Sequence, residues 1–354
     1  MVKRIVKIVL NVIFLVILLA IIYVAYVLIF TDRIGDQQLK VRNSVETMAQ
    51  TQQSYDIISW NIGFGAYTAD YDFFMDGGTQ SRAVSEEALD ANMEDISSTL
   101  KSNEADFYMI EEVDIDSTRS YHVDERPYIR NALKAYTHSF AQNYNSAYLL
   151  YPLSNPIGAS KSGIMTFSRF KMDSSRRVEV PIDSGITKVM DLDRCYSVSR
   201  IPLEGADGKD LVLYTLHFSA YSADGSIATE QMKMMLKSMQ REYEKGNYCI
   251  AGGDFNKDLL GDSSEYFGVD TEDYTWAQPI EMSLFDDTGL RLVAPDPDYP
   301  SVRNPDSAFH DGQLVLTVDG FIASDNVSVE SCKVLYNGFA YSDHNPVKMS
   351  FVLE

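Results

Sequence analysis

The sequence predicts a layered α/β domain carried behind one N-terminal transmembrane helix. Three observations predict it: an unbroken apolar run near the N-terminus, strand-like segments that are apolar at consecutive positions, and two long amphipathic helical patterns between them. Consecutive apolar positions suit strands covered on both faces. Strands mixed with helices over roughly 300 residues make a layered domain.

The apolar run extends from Ile8 to Phe30 with Asn11 as its one polar residue. As a helix it would span ~35 Å at ~1.5 Å per residue, which crosses a bilayer. Lys3, Arg4 and Lys7 precede it, whereas acidic and basic residues are mixed after it (Asp32, Arg33, Asp36, Lys40, Arg42). The excess positive charge before the run favours an N-terminus in the cytoplasm. A cleavable signal peptide has a shorter apolar region, ~7–15 residues, ending at small residues. The stretch from Tyr23 to Phe30 offers no such site. Residues 1–30 are therefore expected as an uncleaved single-pass anchor in the cell membrane, with the rest of the chain extracytoplasmic.

That remainder is acidic. The 354-residue chain carries a formal charge of −21, and all 51 acidic residues lie beyond the anchor. Such a balance argues against a protein held to nucleic acid mainly by phosphate neutralisation. At 45% hydrophobic and 12% aromatic residues, the composition is that of a globular protein and not a disordered one. Cys195, Cys249 and Cys332 are too few and too scattered for a disulfide framework or a zinc cluster.

Residues 31–53 are polar, with Gln37, Gln38, Gln50, Gln52 and Gln53, and are expected as a tether or short helix. The folded domain is expected over residues 54–354. Its strand-like runs are Tyr55 to Trp60, Asp106 to Ile110, Gly163 to Ser168, Leu211 to Leu216, Tyr248 to Ala251, Leu314 to Val318 and Val347 to Leu353. Ser81 to Lys101 places Val84, Ala88, Met93, Ile96 and Leu100 at helical spacing. Thr229 to Lys245 does the same with Met232, Met235, Leu236, Met239 and Tyr243. The Met stripe is read as core, because flexible thioethers fill gaps under a helix. No internal repeat of fixed period is visible.

Chemistry-bearing residues collect at the ends of these runs. Asn61 follows the first, where it also reads as an ordinary turn residue. Glu111, Glu112 and Asp114 close the second, where adjacent carboxylates are commonly solvated. His217 closes a later one, and a core histidine is the usual reading there. The segment Ala251-Gly-Gly-Asp254-Phe-Asn256 is sharper. Paired glycines allow a tight backbone path, and Asp and Asn two apart point to one side of an extended chain. Asp319, followed by Gly320, and the run Ser342-Asp343-His344-Asn345-Pro346 complete the set. A carboxylate beside an imidazole before a proline-fixed turn is hard to explain by packing alone.

Together, in this order, the segments resemble the endonuclease/exonuclease/phosphatase superfamily, the fold of pancreatic deoxyribonuclease, abasic endonucleases, bacterial sphingomyelinases and inositol-polyphosphate 5-phosphatases. The resemblance covers about residues 54–354. It implies a four-layer α/β sandwich, two packed β-sheets flanked by helices, with one active site at one end. It also implies hydrolysis of a phosphate ester with Mg²⁺ or Mn²⁺ by metal-assisted in-line attack of water. On this resemblance Glu112 is the principal metal ligand with Asn61 beside it, and hard oxygen donors suit Mg²⁺. Asp254 orients or deprotonates the water, and Asn256 fixes it and the phosphate oxygens. His217 and His344 donate to the phosphoryl oxygens. Asp319 holds the His344 ring, and Asp343 positions water or a second metal. The strand Ser162 to Arg169 matches a structural segment of the family.

The departures bear on substrate. Glu111 stands where many members have Gln, so it either enlarges the negative field or faces the core. The early Asn is followed by Gly63-Phe-Gly-Ala-Tyr67, without the arginine of abasic endonucleases, which argues against DNA repair. Gly320 stands where an aromatic is common. Arg119, His122, Arg126 and Lys161 are available as phosphate contacts, with an ordinary surface role as the plainer reading. His138 and His310 have no motif around them. The expected function is a membrane-anchored, extracytoplasmic phosphodiesterase acting on a lipid headgroup or small phosphoester. An extracytoplasmic nuclease is the alternative, and a non-catalytic binding module on the same fold a remote one. The implied partners are the phosphoester substrate and the membrane through residues 8–30, with no obligate protein partner evident.

Overall fold

A computed structural model describes residues 1–30, 33–43, 45–182, 193–220, 226–269 and 277–354. Its first element is α1 (Val2–Phe30), apolar on every side from Ile8 apart from Asn11 and exposed except at half-buried Tyr23 and buried Val27. It is long and apolar enough to cross a membrane.

The strands that follow are β1 (Gln37–Leu39), β2 (Ala49–Gln50), β3 (Ser54–Asn61), β4 (Phe107–Asp114), β5 (Thr137–Asn145), β6 (Lys161–Ser168), β7 (Ser174–Glu179), β8 (Cys195–Glu204), β9 (Asp210–His217), β10 (Tyr248–Asp254), β11 (Leu290–Val293), β12 (Val302–Arg303), β13 (Val315–Leu316), β14 (Asp319–Ser324), β15 (Val327–Val334) and β16 (Val347–Leu353). The later helices are α2 (Glu86–Ser102), α3 (Arg126–Ala132), α4 (Ser226–Tyr243) and α5 (Ser263–Phe267). One sheet runs β15-β16-β3-β4-β6-β5. The other runs β1-β7-β8-β9-β10-β14-β11 with β2 beside β8, and β12 and β13 form a small third pair.

The period-2 alternation of side chains builds the layers. Along β3 and β4, Ile57, Phe107 and Met109 meet Leu211, Leu213, Ile250 and Phe321 between the two sheets. The intervening Ile58, Trp60, Tyr108 and Ile110 face outward onto Leu89, Met93, Ile96 and Leu100 of α2. On the other side Val212, Tyr214 and Leu216 of β9 pack on Met232, Met235, Leu236 and Met239 of α4, the expected Met stripe. The order is helix, sheet, sheet, helix, as the resemblance implied. Gly252 lets the sheets approach, since a Cβ there would lie 2.8 Å from the Met109 sulfur and 2.6 Å from the Phe321 ring.

Three expectations are corrected in detail. The polar segment 31–53 is not a free tether: β1 pairs with β7, β2 pairs with β8, and Ala49 is fully buried. Edge pairing uses backbone groups, so polar side chains do not prevent it. α2 starts at Glu86 and not at Ser81, because the Ser85 hydroxyl caps it by accepting from the Ala88 N–H at 3.1 Å. Val84 and Ala88 consequently lie outside the buried stripe. The run Leu314 to Val318 keeps only the two residues of β13, since the Leu259 N–H bonds the Thr317 carbonyl and the Phe255 N–H that of Val318.

Candidate active site

Strand register brings the motif residues together at one end of the sandwich. Asp254, the last residue of β10, is the cross-strand partner of His217 on parallel β9 and of Asp319 on antiparallel β14. Gly253 permits this, because at φ +147° a Cβ would strike the Leu216 carbonyl. From the other sheet, Asn61 ends β3 opposite Glu111 of β4. The β4–β6 register shifts between Ile110 and Val113, and Glu112 takes φ +55°. That irregularity separates the two glutamates. Glu111 is buried, with its Oε1 accepting from the Ser59 hydroxyl at 3.1 Å, whereas Glu112 lines the cleft. Of the two readings of Glu111, the structure takes the core-facing one.

The loop before β16 closes the site. The Ser342 hydroxyl donates to the Asn61 carbonyl at 2.7 Å, the His344 N–H donates to that hydroxyl at 3.1 Å, and the Trp60 indole donates to the His344 carbonyl at 2.9 Å. His344 Nδ1 then lies 2.8 Å from Asp319 Oδ2, while its Nε2 lies 3.7 Å from Asp254 Oδ2. His217 Nε2 is also 3.7 Å from that oxygen. Asn61 Nδ2 lies 3.1 Å from Asp254 Oδ2 and 3.4 Å from Glu112 Oε1, and its Oδ1 accepts from the Gly63 N–H. The Asn256 N–H donates to Asp254 Oδ1 at 2.8 Å, and its side chain donates to the Phe218 carbonyl. Asp343 lines the same cleft as Glu112. All eight expected residues therefore meet at one place.

Electrostatics separates the two histidines. Burial pushes His217 well below its ordinary pKa, and Arg194 and His344 add to the effect, so its ring is neutral. Burial acts the same way on His344 but is outweighed by Asp319, Asp343 and Asp254, which push its pKa well up and leave it an imidazolium. Asp254 is raised by burial to about 7, against His344 and with Asp319. Burial and the neighbouring Glu112 carry Asp343 to about 6. A pair of groups pushed apart in this way is what acid–base chemistry at neutral pH requires.

Among the described residues, two sets of metal-type donors border the cleft. Asp254, Asp319 and His344 put one ligand atom each within 4.8 Å of one another. There, however, the Asp319 contact engages His344 Nδ1, and the raised pKa favours the protonated ring, which binds no cation. Glu112, Asp343 and Asp76 are the other candidates, although their oxygens do not all lie within 4.8 Å of one another. Their hard oxygens line one cleft, and Asp343 and Glu112, after burial, push Asp76 up to about 7, a repulsion that a cation would relieve.

Of the four basic residues offered as phosphate contacts, only Arg119 reaches the site. It pairs with Asp114 at 2.9 Å, lies 3.7 Å from Glu112 Oε2 and stacks over the Phe64 ring. His122 and Lys161 pair with Asp116, and Arg126 with Asp124, all on the surface. His138 is buried against Phe167 and His310 bonds the Asp311 carbonyl; neither is in the cleft. Leu259 occupies the space that a side chain at position 320 would need. Tyr67, Asp76, Arg194 and Asn304 line the cleft without any sequence signal, since no motif or periodicity marks them.

Two packed sheets that place a histidine–aspartate pair, a second histidine and a ring of carboxylates at one end define the class of phosphoester hydrolases and nucleases built on this sandwich. The endonuclease/exonuclease/phosphatase family model matches residues 58–344, and the chain belongs to that family. Among solved structures it is similar to an endonuclease/exonuclease/phosphatase from Beutenbergia cavernae, with 17% identity, TM-score 0.56, and 85% of this chain and 72% of the other covered. A family protein from Leptotrichia buccalis matches at 14% identity and TM-score 0.54 over 84% and 99% of the two chains. The human Nocturnin catalytic domain with bound sulfate matches at 15% and 0.52 over 89% and 98%. No curated protein sequence matches the chain significantly.

Proposed function

We propose that the protein is a membrane-anchored phosphodiesterase whose catalytic domain lies outside the cytoplasm and hydrolyses a lipid headgroup or small phosphoester. The observation that carries this reading is the convergence of His217, His344 and Asn61 on the single oxygen Asp254 Oδ2 from both sheets. A metal ion, Mg²⁺ or Mn²⁺, would be held by Glu112 and Asp343 with Asn61 beside them. When bound it supplies charge neutralisation at the phosphoryl oxygens.

The chain's own groups do the rest. Asp254, with a pKa near neutrality, takes a proton from water, and Asn256 and Asn61 hold its carboxylate in place. The His344 imidazolium and the neutral His217 N–H donate to phosphoryl oxygens as charge builds, and Asp319 fixes the His344 ring. Burial of these groups strengthens each interaction.

The discriminating experiment uses the full chain in detergent with Mg²⁺ or Mn²⁺ against phospholipid vesicles, an aryl phosphodiester, plasmid DNA and RNA. Release of phosphorylated headgroup or aryl alcohol, lost in Asp254→Asn, is expected. Hydrolysis confined to DNA or RNA would instead establish the nuclease.

A further inference from the structure

α1 ends beside the active-site end of the sandwich. Only three peptide units separate Phe30, the end of α1, from Arg33, a reach of ~10 Å at most. Arg33 is pinned to the end of β7 through the Val180 carbonyl at 2.8 Å and Glu179 at 2.7 Å. The Ile34 N–H lies 3.4 Å from Asp193 Oδ2, and its carbonyl accepts from Arg177, which forms a wholly buried pair with Asp193 at 2.8 Å. The next residue, Arg194, lines the catalytic cleft with Glu112 and His217. The active-site end of the sandwich is thus tied to the C-terminal end of α1.

A second set of contacts fixes the same end from another direction. The Tyr23 hydroxyl accepts from the Leu150 N–H at 2.8 Å and donates to the Tyr148 carbonyl at 3.4 Å, and the Tyr26 hydroxyl accepts from the Tyr148 N–H. Tyr23 lies seven residues, or ~10 Å, before the end of α1. The loop it bonds is therefore level with the last two turns of α1. That loop presents Leu150, Tyr151 and Leu153, the last 83% exposed. Tyrosines with leucines at this depth suit the bilayer interface. Leu149 and Ile157, flanking the same loop, face the cleft with Glu112, Arg119 and His217.

We propose that residues 148–153 and the outer turns of α1 form a bilayer-seated rim that holds the cleft mouth on the membrane surface, so that the substrate is the phosphoester headgroup of a membrane lipid. The substrate half of this inference rests on the phosphoesterase reading; the seat itself does not.

The full chain in lipid nanodiscs tests both halves. Cys195, Cys249 and Cys332 are all buried, so a fluorophore can be placed at Leu153→Cys alone, with Glu204→Cys as the comparison. Glu204 lies at the other end of β8 from the cleft, ~30 Å away. Nitroxide-labelled lipid should quench the label at 153 and iodide should not, with the reverse at 204. Equal iodide access at the two positions overturns the seat. In the same nanodiscs, L150D/L153D should cut turnover of the lipid phosphoester at least tenfold while a soluble aryl phosphodiester is hydrolysed within twofold of the unaltered chain. Equal lipid turnover by the two chains, or equal loss on both substrates, overturns the lipid assignment. If the unaltered chain hydrolyses neither substrate, the phosphoesterase reading fails, and the quenching result alone decides the seat.

Discussion

His344 Nδ1 lies 2.8 Å from Asp319 Oδ2, and the Ser301 hydroxyl donates to that same oxygen at 2.7 Å. The ring is therefore held from behind by a carboxylate that is itself held, leaving Nε2 directed at the cleft. If Nε2 donates to the phosphoryl group, His344→Ala and His217→Ala should each reduce turnover by ~10²-fold or more with little change in KM. Asp319→Asn should act through the ring. Steady-state kinetics of Asp319→Asn combined with His344→Ala should show a loss far smaller than the product of the single losses. A full multiplicative loss would show that Asp319 works independently.

Glu125, behind the cleft, supplies a pH dependence of stability. It is fully buried, its Oε2 accepts from the Asp114 N–H at 2.8 Å, and burial together with Asp114 pushes its pKa well up. A folded-state pKa above the unfolded value of about 4.5 means that the folded chain binds the proton more tightly. Its contribution to stability is whole below that pH and falls as pH rises, by at most ~1.4 kcal/mol per unit. Glu125→Gln, which mimics the neutral acid, should flatten the fall in melting temperature between pH 5.5 and 8. Parallel melting curves for the two chains would show that Glu125 is ionised in the fold.

The orientation of the anchor is open to direct test. With Lys3, Arg4 and Lys7 in the cytoplasm, external protease should remove the domain from intact cells. Protection until lysis would reverse the orientation. Recovery of a soluble chain beginning near residue 31 would instead show that the apolar run is cleaved.

Much of the site is legible in the sequence because each member sits at the end of an apolar run, and strand ends are where a layered sandwich exposes side chains. The parts that are not legible have a common cause. Apolar runs identify strands covered on both faces, but β5, β8 and β15 mix polar with apolar residues. In β8, Ser197 and Ser199 are buried between the sheets, where the Thr166 hydroxyl bonds those of Ser197 and Thr215 across the core and the Ser175 hydroxyl bonds that of Ser199 on the neighbouring strand. A serine in such a ladder is indistinguishable in sequence from a solvated one. Asp76, Arg194 and Asn304 reach the cleft from irregular segments, so only tertiary structure places them. The polar segment after the apolar helix misleads for a similar reason, since β1 and β2 pair through their backbones.

The central claim is that Glu112 and its carboxylate neighbours hold a metal on which phosphoester hydrolysis depends, and metal removal measures it most directly. Aryl phosphodiester hydrolysis by the full chain should vanish with chelator and return with Mg²⁺ or Mn²⁺. Glu112→Gln should raise the metal concentration for half-maximal activity at least tenfold without lowering the melting temperature by more than a few degrees. Undiminished hydrolysis after exhaustive metal removal, or an unchanged metal requirement in Glu112→Gln, would contradict the assignment.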